Sequence, residues 1–183
     1  DDAHAPARRA RLPQDERASS ECVLRELLTN AIHALDAVYF QSLRDRGALK
    51  RNPKKTVAID VDPSRRTLTI TDTGIGMTRA DLINNLGTLN MASEPDFDAT
   101  LESGDVAALL RAGAGVYSGF VAAESLEVHT KHNDDDCYVW SLSHESAEFA
   151  IAKLPEGTLS ERVQARGTAV VLRLREAWAA SAL

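Results

Sequence analysis

The sequence predicts an α+β fold in which helices pack on one sheet. Residues 21–43 repeat apolar side chains at three- and four-residue steps, as one face of a helix does. Several shorter runs alternate or are rich in β-branched residues, as strands are: 56–61, 67–71, 125–131, 137–143, 147–152 and 168–174. The order is helix, hairpin, helix, long loop, helix and meander, and helices and strands grouped in this way are typical of the α+β class.

The N-terminal elements follow from local signals. Residues 1–19 lack periodicity, so we expect a flexible tail there and one domain over residues 20–183. Ser19 or Ser20 can cap the long helix, and Gly47 lies just beyond its end. The turn at 62–65 makes the next two strands a hairpin.

The remaining elements lie on both sides of a long irregular stretch. Thr78 can cap a short helix that runs through Ile83. Residues 87–115 are punctuated by glycine, serine and proline, and a connection of this length is usually functional or disordered. We expect a helix over residues 116–123 and a polar loop over 157–167 before the last strand.

Composition bounds the function. The chain has 183 residues, 44% hydrophobic and 26% charged, enough for one domain with a core. A net charge of −6 argues against nucleic-acid or anionic-membrane partners. No apolar run approaches the roughly 18 residues that cross a bilayer. Two cysteines, Cys22 and Cys137, are too few for a disulfide scaffold and favour a reducing compartment. We expect the cytoplasm, with an organellar form as the alternative.

The long helix carries a carboxylate and an amide at a helical spacing. Glu26 and Asn30 are four residues apart, so they share one face. Together they could hold a water and a magnesium ion, because Mg²⁺ prefers oxygen ligands and keeps several waters. The alternative is an ordinary solvated face with two polar residues.

The segment Asp72–Met77 follows a strand directly. Gly74 and Gly76 permit a backbone path that residues with a Cβ resist, and they allow close approach of a ligand. The carboxylate of Asp72 can accept hydrogen bonds from an exocyclic amino group. The alternative is a tight strand-to-helix turn. No third glycine follows at the spacing of the dinucleotide fingerprint.

Two further segments carry polar or glycine-rich signals. Asn84 and Asn85, at the end of the short helix, could cap it or reach into a pocket. Gly113 and Gly115 precede an expected helix, where backbone N–H groups can form a cradle for phosphates. The alternative for that segment is a flexible loop end.

The order and spacing of these segments resemble a known ATP-binding fold. It is shared by gyrase, ninety-kilodalton heat-shock chaperones, histidine kinases and MutL mismatch-repair proteins. The resemblance covers residues 21–176 and is greatest to the chaperone N-terminal domain. The runs that carry it are LRELLTNAIHALD (24–36), DTGIGMTRADLINNLGTL (72–89) and TKHNDD (130–135). It implies the Bergerat fold, a two-layer α/β sandwich with helices on one face of a mixed, mostly antiparallel sheet.

The resemblance also implies residue roles. Glu26 matches the general base that activates the attacking water, and Asn30 matches the amide that coordinates Mg²⁺. Asp72 matches the carboxylate that accepts the adenine amino group, supported by Thr168. The other matching positions line the adenine pocket or the sugar and phosphate side: Gly76, Met77, Asn85, Gly113 and Gly115. Residues 87–115 match a mobile lid.

Some positions depart from the family pattern. His33 stands where the family usually has an aspartate, and Met91-Ala92-Ser93 replaces a Lys-Ser-Gly sequence at the start of a shortened lid. A phosphate-facing lysine is therefore missing. With these departures, the resemblance supports adenine binding better than it supports closure on the phosphates or rapid hydrolysis.

Two functions remain open. The first is slow ATP hydrolysis by the N-terminal domain of a divergent chaperone, with ATP or ADP and Mg²⁺ as cofactors. The resemblance then implies client proteins, co-chaperones and a homodimer for the full-length protein. The second is a regulatory nucleotide-binding or protein-interaction module that has lost efficient hydrolysis. Glu26 favours the first, and the missing lysine favours the second.

Overall fold

The computed structural model describes residues 14–87, 115–143, 146–157, 160–163, 165–176 and 178. Within these residues six strands form one sheet in the order β1-β2-β6-β3-β4-β5, and every pairing is antiparallel. The predicted α+β class is confirmed. Most of the predicted lid, including Gly113, lies outside the described residues.

The sheet is built from strands close to the predicted ones. The first hairpin consists of β1 (Val57–Asp62) and β2 (Thr67–Asp72). The meander consists of β3 (Ala123–Lys131), β4 (Cys137–Ser143) and β5 (Ser146–Lys153). The last strand, β6 (Gly167–Leu174), lies between β2 and β3, so it joins the hairpin to the meander.

The long helix α1 spans Gln14–Arg44. It begins seven residues before the predicted start, so residues 14–19 are helical where we expected tail. The segment QDERA at its start has good helix propensity, which explains the longer helix although the segment lacks apolar periodicity. Val23, Leu27, Ala31 and Val38 of α1 are buried. None of the described helices is long and apolar enough to cross a membrane.

Two short segments differ from the predicted helices. The helix α2 (Arg79–Leu82) has Thr78 as N-cap, as predicted, with a capping box to Asp81. It continues as a π-helical turn, Ile83–Gly87. The helix expected over residues 116–123 is a 3₁₀ segment, Gly115–Val121. Two glycines and two valines lower its α propensity, and residues 116–121 are all buried.

Side-chain rows cross the sheet on the face that α1 covers. Ile70, Val170, Val128, Trp140 and Ile151 are successive partners on five strands. Strand residues two positions apart share a face, so this apolar row runs beside a second row at the end of the sheet. That second row is polar: Asp72, Thr168, Thr130 and Tyr138. The core therefore ends at a line of polar side chains.

A candidate nucleotide pocket between the long helix and the sheet

A cavity of about 320 Å³ lies between α1 and the sheet. Its size is within the range of small-molecule sites. Seven of the nine predicted site residues line it: Asn30, Asp72, Gly76, Met77, Asn85, Gly115 and Thr168. Apolar side chains complete the wall, among them Leu27 and Ala31 of α1 and Ile70, Val128 and Val170 of the sheet. The cavity lining is thus mostly apolar, with a few polar groups.

The carboxylate of Asp72 is the buried charge of this cavity. The residue is 6% exposed, and its Oδ1 accepts a hydrogen bond from the Gly74 N–H at 2.7 Å. Burial raises the pKa of Asp72 to about 6, although hydrogen bonds from the Gly74 and Thr168 backbone and the charge of Arg166 act in the opposite direction. Within the described residues Asp72 makes no ion pair, so a donor from a ligand would meet an unneutralised acceptor.

Strand register places Thr168 and Thr130 beside Asp72. Thr168 on β6 is the cross-strand partner of both Asp72 and Thr130. The Oγ1 atoms of the two threonines are 3.2 Å apart. Thr130 is fully buried, and its Oγ1 accepts a hydrogen bond from the Met77 N–H at 2.8 Å. Thr130 therefore links the segment that follows Asp72, which contains Gly74 and Gly76, to the sheet.

The turn after Asp72 is packed closely on two elements. A Cβ on Gly74 would lie 2.5 Å from the Ala34 backbone, and the Ile75 N–H donates to the Ala34 carbonyl at 2.9 Å. Gly76 has a φ of +71°, and a Cβ there would lie 2.1 Å from the Lys131 carbonyl oxygen. Both glycines are required by close backbone contact, so the tight-turn interpretation holds together with a position at the cavity wall.

Another part of the cavity lining brings α1 and the 3₁₀ segment together. Gly115 has a φ of +46°, and a Cβ built on it would be 4.0 Å from the Asn30 Nδ2. Asn85 lies on the π-helical turn, and its neighbour Leu86 accepts a hydrogen bond from the buried Tyr117 hydroxyl through its carbonyl. This bond ties the π-helical turn to the 3₁₀ segment across the cavity end.

Glu26 lies outside the set of lining residues. It is half-buried on α1, one helical turn before Asn30. Its position is thus next to the end of the cavity formed by Asn30 and Gly115. Gly113, the ninth predicted site residue, lies outside the described residues.

Sequence reasoning missed Thr130 and Arg166. A threonine in phase with Leu126 and Val128, on the buried face of β3, was the available signal for Thr130. Arg166 ends a polar loop, and nothing in the local pattern marks its burial. The acidic turn between β3 and β4, residues 132–136, has structural contacts in the described chain. Asp135 accepts hydrogen bonds from the Arg79 N–H at 2.9 Å and from the Tyr138 hydroxyl at 3.0 Å.

The chain is similar in sequence to proteins of a known family. Residues 18–168 match a family model described as histidine kinase-, DNA gyrase B- and HSP90-like ATPase. A protein named endoplasmin homolog from Caenorhabditis elegans is 41% identical over 164 residues, which cover 86% of this chain and 21% of that protein. A protein of the same name from Arabidopsis thaliana is 38% identical over 162 residues, 87% of this chain and 19% of that protein. The chain thus spans about a fifth of the length of these relatives.

Proposed function

The chain belongs to the family of histidine kinase-, DNA gyrase B- and HSP90-like ATPases, and from that premise we propose that it binds ATP and ADP in the cavity between α1 and the sheet. One observation carries the proposal. Seven residues predicted from sequence, spread over more than 130 positions of the chain, line a single cavity. Its lining includes a buried acceptor, Asp72, and an amide, Asn30, beside a glycine with positive φ, Gly115.

The two groups of lining residues, one at Asp72 and one at Asn30 and Gly115, suit different parts of the nucleotide. The Asp72 carboxylate would accept a hydrogen bond from the adenine amino group, while the apolar wall of Ile70, Val128 and Val170 would cover the ring. The Gly115 end is open to phosphate oxygens, because no Cβ occupies the space next to Asn30. An amide oxygen is a suitable Mg²⁺ ligand, so Asn30 would hold the ion, which would offset phosphate charge there.

The test is equilibrium binding of ADP with and without Mg²⁺. We expect Asp72→Asn to weaken ADP binding about 10- to 100-fold, because an amide N–H₂ meets another donor where a charge-assisted hydrogen bond was made. The matched control is Asp60→Asn, since Asp60 is exposed on β1, and we expect it to bind ADP like the parent. Equal affinities for the parent and a folded Asp72→Asn variant would contradict the adenine contact.

Hydrolysis is the second part of the proposal. Glu26 lies one helical turn before Asn30, and we propose that from this position it orients and deprotonates the attacking water. We expect Glu26→Ala to leave ATP affinity within a few-fold and to lower single-turnover hydrolysis by roughly 10²–10⁴. The measurement needs the full-length protein, because the chain is about a fifth of its relatives' length. A parent without turnover would instead favour the regulatory-module function, and an active Glu26→Ala variant would show that Glu26 is not the base.

The role of the whole protein is proposed on the same basis. From the family membership and the resemblance to ninety-kilodalton heat-shock chaperones, we propose that the full-length protein is a chaperone that acts on client proteins with co-chaperones and as a homodimer. We keep the cytoplasm as the proposed compartment; both cysteines are free, as is usual under reducing conditions. Sedimentation of the full-length protein with and without ATP would test dimerisation, and cell fractionation would test the compartment.

A further inference from the structure

Arg166 is a buried cation that the proposed chemistry does not use. It precedes β6 and is only 1% exposed. Its guanidinium donates hydrogen bonds to four backbone carbonyls. Two follow α1, at Ala48 (2.6 Å) and Asn52 (3.0 Å), and two follow Asp72, at Thr73 (2.8 Å) and Gly74 (2.7 Å).

This environment is unusual for a buried charge. A buried arginine is normally paired with a carboxylate, because desolvation of an unpaired ion is costly. In the described part of the chain Arg166 forms no ion pair, and the hydrogen-bond acceptors of its guanidinium are backbone carbonyls. Burial lowers the pKa of Arg166, and the charge of Asp72 partly offsets this effect. The planar guanidinium can donate in several directions at once, which a lysine ammonium on a single stem cannot reproduce.

The four hydrogen bonds join segments that are distant in sequence. Thr73 and Gly74 directly follow the adenine-facing carboxylate, and the Gly74 N–H donates to that carboxylate. Arg166 also directly precedes Gly167, where a Cβ would lie 2.0 Å from the Asp72 carbonyl oxygen. The beginning of β6 and the end of β2 are therefore in backbone contact at Gly167, with the guanidinium bonded to the turn that follows.

We propose that Arg166 is a positioning residue of the nucleotide pocket, which fixes the Asp72–Gly76 turn by holding the Thr73 and Gly74 carbonyls against the segment after α1. Through Gly74 it sets the orientation of the Asp72 carboxylate, and its positive charge favours the ionised form of that carboxylate. This proposal deepens the proposed function and rests on it only for the effect on nucleotide affinity.

Two variants separate geometry from charge. Arg166→Met removes the charge and all donors but keeps an unbranched stem, whereas Arg166→Lys keeps the charge and loses the planar set of donors. Leu174→Ala is the matched control, because Leu174 is buried at the opposite end of β6 and its truncation destabilises the core without touching the turn.

The first readout uses ligand-free protein. We expect the Asp72 carboxyl, followed by ¹³C NMR and assigned with Asp72→Asn, to titrate at least about 0.5 pH unit higher in Arg166→Met and close to the parent in Arg166→Lys. Amide exchange of the turn after Asp72 should be about tenfold faster in both arginine variants than in Leu174→Ala. If Arg166 only stabilised the fold, its two variants would lose stability, as Leu174→Ala does, and the Asp72 carboxyl would titrate as in the parent.

The second readout is ADP affinity, which we expect to fall about tenfold in both arginine variants and less than twofold in Leu174→Ala. If the parent itself does not bind ADP, the proposed function fails, while the ligand-free titration and exchange still decide on Arg166. A folded Arg166→Met with the parent's Asp72 titration and turn exchange would overturn the proposal. If Arg166→Met does not fold, Arg166→Lys decides: parent-like exchange and ADP affinity overturn the proposal, and faster exchange with weaker binding supports it.

Discussion

At the scale of single residues, Asp72 determines how the pocket responds to pH. Its native pKa of about 6 lies above the ordinary aspartate value of 3.8, because burial penalises the charged form. The native state therefore keeps a proton that the unfolded chain releases. Between about pH 4 and pH 6 the free energy of unfolding should decrease as pH rises. At neutral pH the buried carboxylate should lower the free energy of unfolding by about 3 kcal/mol at most, relative to its value at low pH.

We therefore expect two opposite pH dependences from this one carboxyl. Ligand-free protein should gain stability as pH falls from 7 to 4, whereas ADP affinity should fall below about pH 6, by at most roughly tenfold per pH unit, because a protonated carboxyl presents a donor. Chemical denaturation and ADP titration across this range measure both. Asp72→Asn is the control that subtracts other titrating groups. Identical pH profiles for parent and variant would contradict the assignment.

The order and spacing of the motifs predicted most of the described residues that line the cavity, but not Thr130 and Arg166, which hold those residues in place. Asp72, Gly76 and Asn30 were named because the segments that contain them follow the order seen in a known ATP-binding fold, although each segment alone is a weak signal. Thr130 and Arg166 were missed because their importance comes from partners that are far away in sequence. A threonine that accepts one backbone N–H, or an arginine that donates to four carbonyls, looks ordinary until strand register brings those partners to it.

At the scale of elements, backbone contact decides which glycines can change. Gly76 and Gly157 have nearly the same φ, +71° and +74°. A Cβ at Gly76 would collide with the Lys131 carbonyl, whereas nothing lies within 4 Å of one at Gly157. Alanine substitutions at these two glycines therefore separate the cost of a left-handed backbone conformation from the cost of steric overlap.

We expect Gly157→Ala to cost about 1–2 kcal/mol, the usual penalty for a side chain in left-handed conformation. Gly76→Ala should cost clearly more and should also weaken ADP binding, because the turn and the end of β3 must move apart. Denaturant unfolding of the two variants gives the comparison. Equal losses of stability would mean that the chain near Lys131 relaxes without cost.

Element boundaries show the limits of local pattern. The strands were predicted within about two residues, since their alternation reflects one buried face. The 3₁₀ segment at Gly115–Val121 was expected as a helix because its apolar residues suggested one. Burial of residues 116–121 and the two glycines, Gly115 and Gly119, favour the tighter geometry, and only tertiary packing reveals that burial.

At the scale of the whole molecule, the order of strands in the sheet explains why the pocket forms only when strands distant in sequence have paired. β6 is the last of the described strands in sequence and lies between β2 and β3. The α+β class followed from the order of the elements, but this central insertion did not, because local pattern does not specify which strands pair. Thr168 comes to Asp72, 96 positions earlier in sequence, only through that insertion.

The polar row across β2, β6 and β3 has a kinetic consequence. Its residues come together only after the most distant strands have paired, a late step because closing long loops costs entropy before any contact repays it. A nucleotide bound to this row would contact the native state and not the folding transition state. We therefore expect saturating ADP to slow unfolding in stopped-flow experiments and to leave the refolding rate unchanged. Faster refolding with ADP would show that β6 inserts early. The nucleotide would then stabilise the folding transition state, and it would promote assembly of the sheet instead of only stabilising the native state.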